Sequence, residues 1–402
     1  MLTVEKAICM ITDAIPSVDR EIVQLHQASG RVLQQRVKAE RDQPPFDRVT
    51  MDGIAIKFDA FTKGITEFAI KGTQQAGDQV HRLCQANDCL EIMTGSVLPK
   101  GSDCVVPVER ISIKNDHAIL ENGYLPERNQ FIHPQGSDHE KGHVILRPGQ
   151  VISPMDIAII ASCGLESVQV SKQPTIQLIS TGNELVDPGK KIEAHQIRMS
   201  NGPALNAMLT RHGFFNTTHE HLVDDQDILE KRLEKILAEN EVIVLSGGVS
   251  MGKADYVPEV LTKLGVKIVF HKISQQPGKP MWFGIGPAGQ QVFALPGNPV
   301  STIVCCRHYV IPALLHAAGR AKTQSEFAVL AEEVTCSSKL TCFMPVRISC
   351  SADGFINATP VPTNTSGDFT SLTGTDGYVE LAKENGFFDA GAIVPIHRWT
   401  IS

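Results

Sequence analysis

Along the first 40 residues Val4, Ala7, Ile8, Ile11 and Ile15 recur at intervals of three and four. That spacing lines apolar side chains along one face of a helix. Between 53 and 135 the period shortens to two. Ile54–Ala55–Ile56, Phe68–Ala69–Ile70 and Ile111–Ser112–Ile113 are short runs separated by glycine and asparagine, which predicts a small β-rich unit. A polar hinge follows at Pro134–Gly136. The segment Met155 to Cys163 then reads as a helix ending at Gly164, the residue that best tolerates a left-handed C-terminal turn.

From residue 174 strands and helices alternate. Ile176–Ile179 predicts a strand, and residues 201–212 a helix carrying Ala204, Leu205, Met208 and Leu209 on one face and stopping at Gly213. Ile228, Leu229, Leu233, Ile236 and Leu237 form the stripe of a second helix, with Asp224–Asp225 placed to cap it. Val242–Leu245 reads as a buried strand; Val257, Val260, Leu261 and Leu264 fill a third helix over 255–264, closed by Gly265. This rhythm predicts a parallel sheet covered by helices on both faces. The longest apolar run, 301–319, is interrupted by Arg307 and His308 and predicts a buried helix, since a membrane span needs about 20 mostly apolar residues. Beyond 325 the alternation stops. Phe327–Leu330, Met344–Ile348, Gly354–Thr359 and Ile393–Ile396 predict a small closing β-domain. The expected division is a helical linker region at 1–43 and 136–173, a β-rich insertion at 44–135, an α/β domain at 174–324 and a β-domain at 325–402.

A length of 402 residues supports two to four domains, and 42% apolar with 20% charged residues is a globular composition. The formal charge of −7 argues against nucleic-acid or anionic-membrane partners. The opening residues lack the layout of a secretory signal. Ten cysteines without a CxxC pair fit a reducing, cytoplasmic setting, and Cys305–Cys306 read as buried thiols.

In a parallel sheet, ligands collect beyond the carboxyl ends of the strands. Three segments fall there. In SGGVSMGKADY (246–256), Gly247, Gly248 and Gly252 allow close backbone approach to an anion, Ser250 offers a hydroxyl, and a helix begins behind them. A tight strand-to-helix turn is the plainer alternative. In STGNEL (180–185), Glu184 can hold a hydrated cation or serve as a helix-start residue; Asp224 and Asp255 carry the same ambiguity. Three carboxylates around one edge repel without a cation, so together they point to a metal site. In LPGNPVS (295–301), Pro296, Gly297, Asn298 and Pro299 make a rigid turn, preceded by QQPGKP (275–280) with Lys279, and by Lys272, as available cations. Upstream, Asp52, Thr94 and Asp138 each lie near a glycine, and composition alone reads them as turn residues.

PPFDRVTMDG, IMTGSVLPKGSDCVVPVE, STGNEL, SGGVSMGKADY, PGKP and LPGNPVS, in this order from about residue 44 to 301, resemble the molybdopterin molybdotransferase family, related to the carboxyl-terminal domain of gephyrin. The resemblance implies a multi-domain α/β plus β fold. Its central domain would be similar to a molybdopterin adenylyltransferase, its first region would serve dimerisation, and its last domain would be a β-barrel. It implies insertion of molybdate into adenylylated molybdopterin with release of AMP, dependent on Mg2+, in a cytoplasmic homodimer with transient contacts to other cofactor-biosynthesis proteins. It also implies catalytic roles for Glu184, Asp224, Asp255, Asp52, Thr94 and Asp138, with the first three holding the metal. The cleft lining would be Gly247, Gly248, Ser250, Gly252, Lys272, Lys279, Pro296, Gly297, Asn298 and Pro299. Gln276 stands where the family pattern has a lysine. An adenylyltransferase-type activity, or a cofactor-binding protein without catalysis, is the alternative.

Overall fold

The structure is a computed structural model that describes residues 1–248, 256–322, 324–336, 339–382 and 385–400. It separates into two units, one of Met1–Gln35, Pro148–Pro154 and Ser167–Ser402, the other of Arg36–Arg147 and Met155–Glu166.

In the second unit, the period-two runs form a six-stranded sheet ordered Cys104–Pro107, Gly53–Ile56, Asp88–Ile92, Glu67–Gln74, His117–Leu120, Ile111–Lys114. Ile54, Ile56, Phe68, Cys89, Val106 and Ala118 are buried in one cluster. Gly53 is required where it stands: an added Cβ would lie 2.0 Å from the Val106 carbonyl oxygen. Helix Pro154–Ser162 occupies the predicted segment, and Gly164 takes the expected positive φ of 76°.

The first unit opens with a helix, Val4–Ala14, capped by the Thr3 hydroxyl accepting from the Lys6 N–H at 3.3 Å. The α/β core then runs β1 (Ile176–Thr181), α1 (Asn201–Arg211), β2 (Thr217–Leu222), α2 (Gln226–Glu239), β3 (Val242–Ser246), α3 (Val257–Lys263), β4 (Lys267–His271), β5 (Trp282–Ile285), β6 (Gln291–Leu295) and α4 (Pro299–Cys305). The sheet order is β2-β1-β3-β6-β5-β4. Side-chain alternation divides the core between its two faces. Leu178, Val242 and Val244 pack with Leu205, Leu209 and the N-terminal helix, while Ile179, Ile243 and Leu245 pack with Leu229, Leu233 and Val260.

Two expectations are corrected. The sheet is not wholly parallel: β2, β1, β3 and β6 are parallel, but β5 runs antiparallel to both β6 and β4. A hairpin replaces a helical crossover there, and hydropathy does not encode strand direction. Ile228, counted in the α2 stripe, is 45% exposed, whereas Leu229, Leu233, Ile236 and Leu237 are buried. It sits in the first turn, at the margin of the apolar arc.

The 301–319 run forms α4, a π-helical turn Cys306–Val310 and α5 (Ile311–Ala317). Pro299–Ala317 is long and apolar enough to cross a membrane, but 83% of it lies buried inside the protein. Burial pushes the Cys305 thiol up, and that of Cys306 up to about 12. The chain then forms β7 (Glu326–Leu330), β8 (Thr341–Cys350), β9 (Ile356–Pro360), β10 (Gly377–Leu381) and β11 (Ile393–Arg398). The order β8-β9-β7-β11-β10 closes through a β8–β10 pairing into a five-stranded barrel. Strand β10 was not among the sequence expectations.

Candidate functional site at the sheet edge

Register fixes one edge of the α/β sheet. Thr181 of β1 is level with Leu222 of β2, Ser180 with Ser246 of β3, and Ser246 with Leu295 of β6. Beyond this line lie 223–225, 182–184, 247–248 and 296–298. The β4–β5 connection turns at the same edge, because Trp282, which starts β5, is paired with both Ala294 and His271. Lys272 and Lys279 lie in that connection.

The edge therefore has a graded composition. At its β2–β1 end the Asp224 backbone N–H donates to Asn183 Oδ1 at 3.1 Å, tying together the loops that carry Asp224 and Glu184. Glu184 folds back over its own loop: a Cβ at Gly182, where φ is 146°, would meet Glu184 Oε2 at 2.6 Å. Asp225, not Asp224, caps α2, accepting from the Ile228 N–H at 2.9 Å. The adjacent aspartates thus divide their tasks. His221 Nε2 contacts the Gly182 carbonyl at 2.7 Å and steadies the same loop.

Gly247 and Gly248, with φ of 100° and 66°, follow β3. A Cβ on Gly247 would come 2.7 Å from the Thr181 carbonyl oxygen and 2.8 Å from Thr181 Oγ1. On Gly248 it would come 2.7 Å from Val257 Cγ2 and 3.0 Å from that same hydroxyl. These glycines are needed for close approach as well as for their dihedrals. Thr181 Oγ1 is buried without a hydrogen-bond partner among the described residues. A buried hydroxyl left unpaired costs about 1–3 kcal/mol, so its position under the cradle needs a reason.

The Asn201 side-chain amide, at the start of α1, donates to Ser246 Oγ and to the Gly297 carbonyl, each at 2.8 Å. Pro299 opens α4, and Thr302 Oγ1 bonds the Asn298 carbonyl at 3.1 Å. Asn298 Nδ2 reaches Ser366 Oγ at 2.7 Å, joining the proline turn to the chain after β9. Lys272 holds a positive φ of 73°, its N–H bonded to the Met281 carbonyl at 2.9 Å. Ser250, Gly252 and Asp255 lie outside the described residues.

In the other unit, Asp52 Oδ1 accepts from the Thr94 N–H at 2.6 Å and the Thr94 hydroxyl at 2.8 Å. The N–H chiefly, and the hydroxyl after it, hold this carboxyl below its ordinary value. Asp138 Oδ1 lies 2.9 Å from His133 Nε2, whose Nδ1 is 3.1 Å from Arg48. Asp52 and Thr94 are brought together, and Asp138 belongs to a separate Arg48–His133–Asp138 chain. Sequence reasoning did not single out Thr181, Asn183 or Asn201. All three had a usable signal: Thr181 and Asn183 lie inside STGNEL, and Asn201 precedes glycine and proline at a predicted helix start.

Fold and edge define a class: an α/β protein with β-domains on either side in sequence, and loops rich in glycine, proline and charged residues gathered at one edge of its central sheet. Comparison with known proteins agrees. Residues 2–164 match the family model described as MoeA N-terminal region (domain I and II), 177–316 the "Probable molybdopterin binding domain", and 328–399 the MoeA C-terminal region (domain IV). A Synechocystis protein named molybdopterin molybdenumtransferase is 37% identical over 400 residues, 99% of this chain and 100% of that one. One of the same name from Staphylococcus aureus (strain Mu50) is 29% identical, covering 98% and 95%. A solved molybdopterin biosynthesis MoeA protein from Pyrococcus horikosii aligns over the whole of both chains with a TM-score of 0.82 and 28% identity. The chain belongs to the molybdopterin molybdenumtransferase family.

Proposed function

We propose that the protein acts in molybdenum cofactor biosynthesis as a molybdopterin molybdenumtransferase, joining molybdate to adenylylated molybdopterin with release of AMP. The observation that carries this reading is the order of groups along the sheet edge. Asp224 and Glu184 lie at one end, the glycine cradle and proline turn in the middle, and Lys272 and Lys279 at the other. Five inter-strand steps of about 4.8 Å give the edge a span of roughly 24 Å, enough for an extended ligand with a pyrophosphate between two ring systems.

Glu184 and Asp224 offer hard carboxylate oxygens on two loops that Asn183 ties together, and these donors fit Mg2+. Bound there, it would offset charge developing on the phosphoanhydride oxygens as that bond breaks. The chain's own groups do the rest. The Gly248 backbone N–H, with the Thr181 hydroxyl, orients the pyrophosphate, while the Gly247 N–H is held by the Leu295 carbonyl at 3.2 Å and fixes the turn. Water cleaves the anhydride, leaving AMP and the pterin's own phosphate, and the dithiolene sulfurs displace molybdate oxygen as water. Lys272 and Lys279 serve the two anions, and roles for Ser250, Gly252 and Asp255 rest on the family resemblance alone. Asp52, Thr94 and Asp138 are further catalytic positions, and the working form is a cytoplasmic homodimer.

The test is AMP release from adenylylated molybdopterin with molybdate and Mg2+. Asp224→Ala and Glu184→Ala should each lower the rate at least about 100-fold, the order typical of lost electrostatic stabilisation, with unchanged far-ultraviolet circular dichroism. Full turnover in both variants would remove the metal reading. Consumption of ATP with molybdopterin instead would assign the adenylyltransferase activity.

A further inference from the structure

A second group of metal-type ligands lies away from the sheet edge, where the apolar helical run meets the terminal barrel. His308 comes from the π-helical turn, Glu380 from β10 and His397 from β11, and one ligand atom from each lies within 4.8 Å of the others. Barrel register explains the convergence of the last two. Tyr378 is paired directly with His397, and Glu380, two residues further along β10, emerges on the same face as Tyr378. His397 Nε2 lies 3.1 Å from Glu380 Oε2.

The independent observation is His308. The residue is 4% exposed, and its Nε2 has no hydrogen-bond partner among the described residues. Its other nitrogen, Nδ1, is 2.8 Å from the Tyr378 hydroxyl. With Nδ1–H donating to that oxygen, Nε2 presents its lone pair, the outer-shell arrangement that orients ligating histidines. Burial, first of all, also lowers the His308 pKa well below its ordinary value, which keeps the ring in its neutral, ligating form. The His308 and His397 rings meet edge to face at 4.9 Å. A π-turn is a costly departure from α-helix and recurs at functional sites.

We propose that His308, Glu380 and His397 form a binding site for a divalent transition metal, with zinc the ion their chemistry fits. Two imidazoles and one carboxylate are a zinc donor set that leaves a fourth position open. Zn–N bonds of about 2.0–2.1 Å place tetrahedral ligand atoms about 3.4 Å apart. Closing from at most 4.8 Å requires a shift near 1 Å, which the partly exposed His397 and Glu380 side chains can share. The ion would staple the Pro299–Ala317 helix to the barrel. This role is independent of the chemistry proposed at the sheet edge.

The experiment uses the full chain stripped with EDTA and titrated with Zn2+ alone against a chromophoric chelator. Cysteines are the obvious competitors, and Cys336 and Cys342 are close enough to interact. The Cys336→Ser/Cys342→Ser variant is therefore run alongside. Losing an outer-shell partner costs about 10–100-fold in affinity, so losing a ligand should cost at least about 100-fold. Wild type and the serine variant should each bind one ion tightly. Glu380→Gln, nearly isosteric, and His397→Ala should both lose it, and the apo Glu380→Gln form should keep the wild-type urea midpoint. Substituted Co2+ should show d–d absorption without a thiolate charge-transfer band. Absence of tight binding to wild type, binding unchanged in Glu380→Gln and His397→Ala, or loss confined to the serine variant would each overturn the proposal.

Discussion

Thr181→Val tests whether the glycine cradle is built for a ligand. In the free protein the Thr181 hydroxyl is 5% exposed at residue level and unpaired among the described residues, beneath Gly247 and Gly248. Valine has nearly the same shape and no hydroxyl. Removing an unsatisfied buried hydroxyl recovers part of a desolvation cost of about 1–3 kcal/mol, so the ligand-free variant should gain about 1 kcal/mol. If the hydroxyl pairs with a ligand phosphate, the bound state loses a charge-assisted hydrogen bond of about 1.5–3 kcal/mol. That corresponds to weakening of about 10- to 100-fold. Stability and affinity therefore move in opposite directions, an outcome that simple damage does not produce. Urea unfolding of the free chain and calorimetric titration with AMP and with molybdopterin measure the two effects. Thr181→Ser, which keeps the hydroxyl, should retain affinity. A destabilised Thr181→Val with wild-type affinity would refute the reasoning, because the hydroxyl would then be satisfied within the fold.

Gly247→Ala brings Cβ to 2.7 Å from a backbone oxygen at a φ of 100°, whereas at Gly297 the nearest atom is 3.4 Å away, on Gly247. The first should cost at least about 1–3 kcal/mol in urea unfolding from backbone strain alone; the second should stay under about 1 kcal/mol, and equal losses would contradict this. Leu233→Ala, at a fully buried position, should destabilise by about 2–5 kcal/mol. Ile228→Ala, at 45% exposure, should fall within about 1 kcal/mol in the same assay. The Asp52 carboxyl lies below the ordinary 3.8 when folded, so its contribution to stability is present above that value and is lost as pH falls through the lowered one. Thr94→Ala removes the hydroxyl but leaves the larger contributor, the N–H. NMR titration should find the Asp52 pKa raised part of the way, and no rise would show that the hydroxyl contributes nothing.

What the residue order determined by itself was local. A period of 3.6 over 201–212 or of two over 54–56 follows from which side chains share a face, and α1 and the strand Gly53–Ile56 formed where those periods lie. The alternation after 174 implied a sheet, and a sheet implies an edge where loops collect, so Glu184, Gly247 and Asn298 were legible as candidates. Strand direction and register were not legible, because both depend on partners distant in the chain. The antiparallel β5 is one result, and it brings the Lys272–Lys279 connection to the common edge. The choice of Asp225 over Asp224 as helix cap is local but still one residue finer than periodicity resolves, since it follows from which aspartate takes the extended φ and ψ before the first turn. His308, Glu380 and His397 have no telling spacing at all. Only closure of the barrel onto the π-turn brings them together, since pairing Tyr378 with His397 is a tertiary event that no local pattern encodes.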